Sequence, residues 1–271
     1  MRIEDDNLSG AAILTQQALY RIESLVEGAY SSREAFLSAL EQECTTISES
    51  HKSMPSIRTV LFQVYADAEK GKTASQAIHL ARKSIATQIQ NNRNAESSLI
   101  AHGCSLITRG MTILTHSRSS TVEKILFHAY EKTPFRLIVT ESRPNNEGRL
   151  LAYALAERGI PTTFVVDAAA GRFHPHMVLV GADAVTREYV VNKIGTLLLA
   201  AHFPLYVACT TQKFTSEDVE IQEENPDEVL LNPPSEITVE NFYFDRTPLD
   251  MVTAFVTERG ILTPEEVHHL L

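Results

Sequence analysis

The chain has 271 residues, with 34 acidic and 24 basic side chains and 44% hydrophobic residues. A chain of this length buries about three quarters of the surface that its unfolded form exposes, so we expect a large core and exclude low-complexity disorder. No apolar run reaches the ~20 residues of a membrane-spanning helix, and the charged N-terminus lacks the apolar stretch of a signal peptide. Cys44, Cys104 and Cys209 are too widely spaced to suggest a disulfide framework or a zinc site. These features predict a cytoplasmic protein with reduced thiols.

Residues 1–105 have the pattern of a helical N-terminal domain. Apolar residues recur there at three- and four-residue spacing, as at Leu19, Ile22 and Val26. Polar stretches at 48–55 and 91–94 are predicted linkers between helices. No short alternating run bounded by glycine or proline indicates a strand. We therefore predict one domain over 1–105 and a second over 106–271.

The second domain alternates short apolar runs with helical patterns. Near-continuous apolar runs are typical of strands that are covered on both faces of a sheet. Five such runs are found, at 111–116, 135–140, 162–166, 177–180 and 205–209. Strands that alternate with helices of about a dozen residues predict an α/β fold with a Rossmann-like, doubly wound parallel sheet.

Local signals predict where the first helices of this domain begin and end. Ser120 and Glu123 have the spacing of a capping box, in which each side chain binds the backbone N–H of the other. A second helix is predicted to start at Glu147. Gly159 stands at its stop position, where a left-handed backbone is common.

Three further helix starts are predicted towards the C-terminus. Asn192 is expected to cap a helix that runs to about residue 202. The strings at 247–250 and 263–266 each place a threonine before a proline, with an acid in the first turn. A hydroxyl at the cap and a proline at the first helical position are the usual signs of a helix start.

The excess of negative charge comes from one segment, residues 214–245. This acidic segment contains no lysine or arginine and has ten acids: Glu217, Asp218, Glu220, Glu223, Glu224, Asp227, Glu228, Glu236, Glu240 and Asp245. Such a run is usually a solvated loop, and the alternative is an acidic face for a basic partner. Because phosphate backbones are bound by basic patches, the charge distribution argues against direct nucleic-acid binding.

Polar side chains follow the predicted strands at the sheet edge where parallel sheets bind their ligands. The set comprises Ser117, Arg118, Glu141, Arg143, Asp167, Asp183, Asn192, Lys193 and Lys213. Its four cations, together with helix-start N–H groups, predict an anion site, and phosphate is the anion that fits best. Its carboxylates would hold sugar hydroxyls or move protons. The alternative is a set of salt bridges at the sheet edge without a ligand.

Other chemistries have weaker support in the sequence. No glycine-rich dinucleotide or Walker fingerprint follows the first strand, and no G-x-S-x-G string is present. His116 and Ser117 resemble a base and a nucleophile, but neighbours on a strand point to opposite faces and should not meet unless the chain has already turned. The remaining histidines lack metal-ligand spacing. We therefore predict neither a cofactor nor a metal.

Several strings in the second half are more particular than a generic sheet pattern. They are Ile113-Leu114-Thr115-His116, Glu141-Ser142-Arg143-Pro144 with Gly148, Val180-Gly181-Ala182-Asp183-Ala184-Val185, Asn192-Lys193-Ile194-Gly195-Thr196, Phe244-Asp245-Arg246-Thr247-Pro248 and Thr257-Glu258-Arg259-Gly260. Together they resemble the family of the alpha, beta and delta subunits of translation initiation factor 2B. That family includes ribose-1,5-bisphosphate isomerase and methylthioribose-1-phosphate isomerase.

The resemblance implies a helical N-terminal domain, a Rossmann-like C-terminal domain, a dimer formed largely through the latter and a sugar-phosphate pocket between the two. In the isomerases a cysteine directly follows the Thr-His pair. That cysteine and the aspartate of the Gly-Ala-Asp string carry the transfer between aldose and ketose carbons. Asp183 matches the aspartate, whereas Ser117 stands in place of the cysteine. A serine hydroxyl is a much weaker acid than a thiol and cannot rest as an anion without a dedicated base.

Two phosphate anchors of the isomerases are also changed. Their Arg-Gly-Ala string near the N-terminus appears here as Ser9-Gly10-Ala11, and an arginine–proline pair appears as Met54-Pro55. We therefore predict a factor 2B-related protein that binds a phosphorylated sugar or a nucleoside monophosphate without standard isomerase activity. Arg143 and Lys193 would hold the phosphate, with Arg118 at the helix start, and Asp183 would hold a sugar hydroxyl.

Two other functions stay open at this point. One is an aldose–ketose isomerase acting on a phosphorylated pentose such as ribose-1,5-bisphosphate, with Asp183 and Ser117 as the catalytic groups. The other is a structural assembly subunit that binds partner chains through the acidic segment. In the ligand-binding reading, Asn192, Lys213 and Glu141 complete the site. We expect a homodimer or a larger even-numbered oligomer, with no membrane partner.

Overall fold

The computed structural model describes residues 3–6 and 9–271, which divide into two units, Met1–Ala95 and Glu96–Leu271. The first unit is helical. After a 3-10 turn at Ile3–Asp5 its helices are α1 (Ala11–Val26), α2 (Arg33–Glu49), α3 (Pro55–Glu69) and the first part of α4 (Ala74–Leu106). Fully buried apolar side chains repeat along one face of α1, including Leu14, Leu19 and Ile22, as the spacing predicted.

One predicted linker in this region is wrong. Residues 91–94 lie inside α4, which runs without a break from Ala74 to Leu106. The stretch is polar but contains neither glycine nor proline, so nothing in it opposes a helix. An amide pair one turn apart, with Gln90 Nε2 2.9 Å from Asn94 Oδ1, bridges this exposed part of the helix.

The second unit is built on a seven-stranded sheet, which confirms the predicted fold class. Its strands are β1 (Thr112–Thr115), β2 (Arg136–Thr140), β3 (Thr162–Val165), β4 (Met177–Val180), β5 (Ala184–Val185), β6 (Tyr189–Lys193), β7 (Leu205–Ala208), β8 (Phe244–Pro248), β9 (Val252–Thr257) and β10 (Gly260–Leu262). The large sheet has the order β10-β9-β7-β4-β1-β2-β3. All neighbours in it are parallel except β9 and β10. The five predicted strands are therefore correct to within a residue at each end.

Helices cover both faces of this sheet. They are the end of α4, α5 (Ser120–Lys132), α6 (Glu147–Glu157), α7 (Thr196–Ala200) and α8 (Pro264–Leu270). One face forms a core with α4, α5 and α6, for example through Leu99, Ile125 and Leu151. The other face packs against a 3-10 helix at Asp167–Arg172 and against α7 and α8. Two-sided burial is the reason why the central strands β1, β2, β4 and β7 are largely apolar, whereas the edge strand β3 is partly exposed.

Two of the three predicted helix starts near the C-terminus are wrong. Asn192 lies in β6, and the Thr247-Pro248 pair ends β8, because β5, β6 and β8 form a separate antiparallel sheet. Gly195, with a φ of +106°, turns the chain after β6 so that α7 begins at Thr196. Long-range strand pairing overrode the local helix signals at both places.

Helix capping follows the sequence at the start of α8 and departs from it at α5. The helix start predicted at Thr263 is correct, and Thr263 and Glu266 form a capping box there with both reciprocal bonds present. At α5 the cap is Ser119 rather than Ser120, and its hydroxyl accepts from the N–H of Val122. The box prediction there is one residue out of register, since the third helical residue is Val122 and not Glu123, which pairs with Arg118.

The acidic segment has little regular structure. Its acids are exposed except Glu224 and Asp245, and its only helix among the described residues is a 3-10 turn at Pro226–Glu228. Val219 is nevertheless buried against the small sheet of β5, β6 and β8. Across residues 3–6 and 9–271 no helix is both long and apolar enough to cross a membrane.

Candidate functional site

The ends of β1 and β2 meet around a buried histidine. His116 follows β1; its Nε2 is 2.8 Å from the carbonyl oxygen of Ile194 and its Nδ1 is 2.6 Å from Thr140 Oγ1. Because a carbonyl can only accept, Nε2 carries the hydrogen and Nδ1 accepts from the threonine. Burial lowers the pKa of His116. The imidazole therefore acts as a neutral connector between β1, β2 and the turn after β6.

Ser117 is positioned by the same network. Its φ is +65°, and its backbone N–H donates to Ser142 Oγ at 2.7 Å. Asp167, at the end of the third predicted strand, accepts from the N–H groups of Ser142 and Arg143, each at 2.8 Å. Both ring nitrogens of His116 are occupied elsewhere, so the histidine is not available as a base for Ser117. The expectation that these two neighbours do not act as a pair agrees with this geometry.

Lys193 lies at the centre of a buried charged cluster. Its Nζ is 2.8 Å from Glu147 Oε1 and 5.0 Å from the centre of the Tyr243 ring. Only 4% of the Lys193 side chain and 8% of that of Glu147 are exposed, so water screens the pair weakly. Burial raises the pKa of Glu147, Lys193 opposes this shift, and the nearby Asp183 adds to it. The cluster brings together the ends of β4 and β6 and the start of α6.

The N–H groups that open α7 already have an anionic partner. Asp245 Oδ2 accepts from the N–H of Gly195 at 2.7 Å and from that of Leu197 at 3.1 Å. Burial raises the pKa of Asp245 to about 6, although these backbone bonds act in the opposite direction. A carboxylate of β8 therefore already occupies this helix start, whereas the sequence predicts that helix-start N–H groups contribute to a phosphate site.

The other three predicted cations also have protein partners, but of two kinds. Arg118 Nε is 2.9 Å from Glu123 Oε2, so its charge is compensated. Arg143 Nη2 donates to the carbonyl oxygen of Glu228 at 3.2 Å, and Lys213 Nζ donates to that of Ala182. A carbonyl satisfies the donor without cancelling its charge. Arg143 is exposed whereas Lys213 is buried, so Arg143 is the better placed of the two to receive an anion.

The remaining predicted site residues lie at the same sheet edge. Asp183 is 8% exposed and its N–H donates to the Val191 carbonyl at 2.8 Å. Asn192 is buried and its Nδ2 is 3.0 Å from Thr196 Oγ1. Glu141 pairs with Arg149 at 3.1 Å on the surface. Whether any of these residues contacts a ligand stays a prediction.

Arg143 and Lys193 are linked by a short chain of contacts. The Glu228 carbonyl accepts from Arg143, while the Glu228 carboxylate accepts from the Tyr243 hydroxyl at 2.7 Å. The Tyr243 ring in turn faces Lys193. The two cations therefore lie on the same side of the unit, with part of the acidic segment between them.

Sequence reasoning missed two members of this cluster. Glu147 was read only as the first residue of a helix, and Tyr243 was not singled out. Glu147 could have been predicted as a site residue because it lies four residues after Arg143, in the segment that follows β2. Tyr243 could have been predicted because it directly precedes β8, the strand that carries Asp245.

A separate cavity of about 400 Å³ opens beside His116. It lies between the 3-10 helix at Asp167–Arg172 and α7, and Leu198 and Phe203 contribute apolar surface to it. Its lining contains none of the four predicted phosphate-binding cations, so it does not have the composition of an anion pocket.

Comparison with known proteins gives the family. The model of the Initiation factor 2 subunit family matches residues 8–264. A translation initiation factor eIF-2B subunit 2-like protein of Pyrococcus furiosus is 39% identical over 65% of this chain and 66% of its own length. The alignment thus spans just under two thirds of that relative.

Two further similarities extend over nearly the whole chain. The ribose 1,5-bisphosphate isomerase of Haloferax volcanii is 31% identical over 98% of this chain and 88% of its own length. The crystal structure of translation initiation factor eIF-2B from Pyrococcus horikoshii OT3 superposes with a TM-score of 0.84 at 29% identity, over 97% of this chain and 94% of that chain. With the matched residues 8–264, these similarities establish that the chain belongs to the Initiation factor 2 subunit family.

Proposed function

We propose that this protein binds a phosphorylated sugar or a nucleoside monophosphate in the cytoplasm and has no standard isomerase activity. The observation that carries the second part is the environment of Ser117. It stands where the isomerases that the chain resembles have a cysteine, and the neighbouring imidazole is fully engaged with Thr140 and Ile194. A serine without a base is not a competent proton-transfer group.

Ligand binding is supported by the cations at the sheet edge. Arg143 has an exposed guanidinium whose one hydrogen bond found in the described structure is to a carbonyl oxygen, so its charge is open to an anion. Arg118 and Lys193 lie on segments that touch through His116 and the Ile194 carbonyl, and we assign Asp183 to a sugar hydroxyl. In this proposal Asn192, Lys213 and Glu141 are further residues of the same site.

The test is calorimetric titration of the full chain with ribose-1,5-bisphosphate, AMP and inorganic phosphate. We expect micromolar-to-millimolar binding of at least one organic phosphate, and a loss of about tenfold or more in Arg143→Ala, because a charge-assisted bond is removed. Arg136→Ala is the matched control, since Arg136 is exposed at the opposite end of β2 and should leave binding unchanged. Absence of binding by every phosphorylated compound would refute the proposal.

A second candidate is an aldose–ketose isomerase acting on a phosphorylated pentose. It is favoured by the 31% identity, over 98% of this chain, to the ribose 1,5-bisphosphate isomerase of Haloferax volcanii. In this reading Asp183 is the acid–base group and Ser117 takes the place of the thiol. Turnover of ribose-1,5-bisphosphate by the unmodified chain, abolished in Asp183→Asn, would establish it. Turnover that appears only in Ser117→Cys would instead support loss of activity through the serine.

A further inference from the structure

The Lys193–Glu147 pair has a feature that the proposed function does not use. Glu147 Oε1 contacts the lysine at 2.8 Å, whereas Oε2 is buried and no hydrogen-bond donor in the described ranges, 3–6 and 9–271, reaches it. Buried carboxylate oxygens are normally hydrogen-bonded. Oε1 therefore pairs with Lys193, whereas Oε2 can accept a proton.

The local charge balance disfavours an anion as the cluster stands. Glu147 cancels the charge of Lys193, and Asp183 lies close enough to raise the pKa of Glu147. Glu224 and Glu228 add negative charge from the acidic segment: the pKa of Glu224 is raised by burial and by Glu228, and Lys193 opposes that shift. A phosphate arriving at Lys193 would therefore meet a cation whose charge Glu147 already compensates, with Asp183 and Glu224 adding negative charge beside it.

We propose that Glu147 is a built-in competitor for Lys193, and that a phosphorylated ligand binds this lysine only when the Glu147 carboxylate takes up a proton. The proton comes from solvent and is placed on Oε2, and the Lys193 N–H donors pass from Glu147 to a phosphate oxygen. No covalent bond other than this O–H bond forms. The inference rests on the proposed function and specifies how the same site is regulated: ligand affinity falls as pH rises.

Proton uptake provides the first test and requires no variant. Titration of the chain with ribose-1,5-bisphosphate or AMP, repeated in buffers of different ionisation enthalpy, should show about one proton taken up per ligand bound at pH 7.5. Affinity should fall by up to about tenfold per pH unit across the range where Glu147 is ionised. Because the carboxylates of Asp183, Glu224 and Glu228 and the Tyr243 hydroxyl also belong to this cluster, and the ligand brings its own phosphate, the variant below assigns the proton.

Glu147→Gln keeps the shape of the side chain and removes its charge. We expect it to bind the same ligand, and inorganic phosphate, about tenfold more tightly, and to lose the proton uptake. Glu96→Gln is the matched control, since it breaks a partly exposed pair with Lys124 at 2.5 Å and should change neither quantity. Glu147→Gln combined with Lys193→Met removes both charges, keeps the site neutral and should lose the gain in affinity.

The outcomes separate this inference from the proposed function. Ligand binding by the unmodified chain without proton uptake, and without a gain in Glu147→Gln, would overturn the inference and leave the proposed function intact. Binding by Glu147→Gln alone would support the competitor and refute ligand binding by the native site. No binding by either protein would overturn both.

Discussion

His116 shows how a buried polar side chain is tied to its surroundings. The imidazole is 3% exposed, and both of its nitrogens are within hydrogen-bond distance of a partner. The Thr140 hydroxyl is the donor to Nδ1, and it connects the end of β2 to the end of β1. Removing that one hydroxyl would leave only Ser142 Oγ, at 3.4 Å, as a hydrogen-bond partner of Nδ1, so a short buried bond would be replaced by a long one.

We therefore expect Thr140→Val to lower the free energy of unfolding by about 1–3 kcal/mol, measured by urea denaturation. The substitution keeps the β-branched shape, so the loss reports the hydrogen bond rather than a cavity. Thr163→Val, at an exposed position of the edge strand β3, should change the free energy of unfolding by less than about 0.5 kcal/mol. Equal effects at the two positions would contradict the assigned donor.

Asp245 should make stability depend on pH. Its pKa is raised in the folded chain to about 6 from 3.8, because burial favours the neutral form. Between these two values the folded state holds more protons than the unfolded state. The stabilisation from this group is therefore fully present below pH 3.8 and is lost as pH rises through 6.

Asp245→Asn removes this dependence while keeping an oxygen that accepts from Gly195 and Leu197. The difference in free energy of unfolding between variant and unmodified chain should shift in favour of the variant by about 1 kcal/mol from pH 5 to pH 7.5. Groups such as His116 titrate alike in both proteins and cancel in the difference. A difference that stays constant over this range would show that Asp245 has an ordinary pKa.

At the level of elements, the contact between α6 and β2 depends on a glycine. A Cβ added at Gly148 would lie 1.8 Å from the Thr140 carbonyl oxygen, which is backbone and cannot move aside. The absence of a side chain lets α6 begin directly over the end of β2, where Glu147 reaches Lys193. This is the physical reason for glycine in the string that follows Arg143-Pro144.

Gly148→Ala should thus destabilise the chain by about 3 kcal/mol or more, measured by urea denaturation of the purified protein. Gly171→Ala is the control, because a Cβ there would meet nothing within 4 Å. We expect that control to stay within about 1 kcal/mol of the unmodified chain. Similar stability of the two variants would mean that α6 can shift away from β2 at little cost.

At the scale of the whole molecule, the family resemblance implies association between copies of the chain. The large sheet has two edge strands, β3 and β10. The residues of β3, Thr162–Val165, are uncharged, with Phe164 43% exposed, and an uncharged, exposed edge is a template for pairing. We propose a homodimer in which this edge is covered by the second copy.

Analytical ultracentrifugation should accordingly give twice the chain mass. Phe164→Lys should shift the equilibrium towards monomer, because a charge on an edge strand opposes pairing. Ile261→Lys is matched to it, since Ile261 lies on the opposite edge strand and is 42% exposed. A monomeric unmodified chain, or equal effects of the two substitutions, would refute the assigned interface.

The sequence was enough to predict the parallel sheet, because its central strands are buried on both faces and form near-continuous apolar runs. It likewise determined the start of α8, where Thr263 and Glu266 satisfy each other over a distance of three residues. It also carried the strings that resemble the family. These features depend on neighbours close in the chain or on composition alone, so they can be read without coordinates.

Which charges meet could not be predicted from the sequence and depends on the folding of distant segments against each other. Lys193 pairs with a glutamate 46 residues away, and the start of α7 is filled by an aspartate about 50 residues further on. Asn192 became part of a strand because β8 pairs with it. These pairings depend on which of several distant groups lies nearest to a given partner in the folded chain. The sequence shows which groups could pair, but it does not give the distances between them. The cations that the sequence predicted as phosphate ligands therefore lie in a site where carboxylates already compensate part of their positive charge.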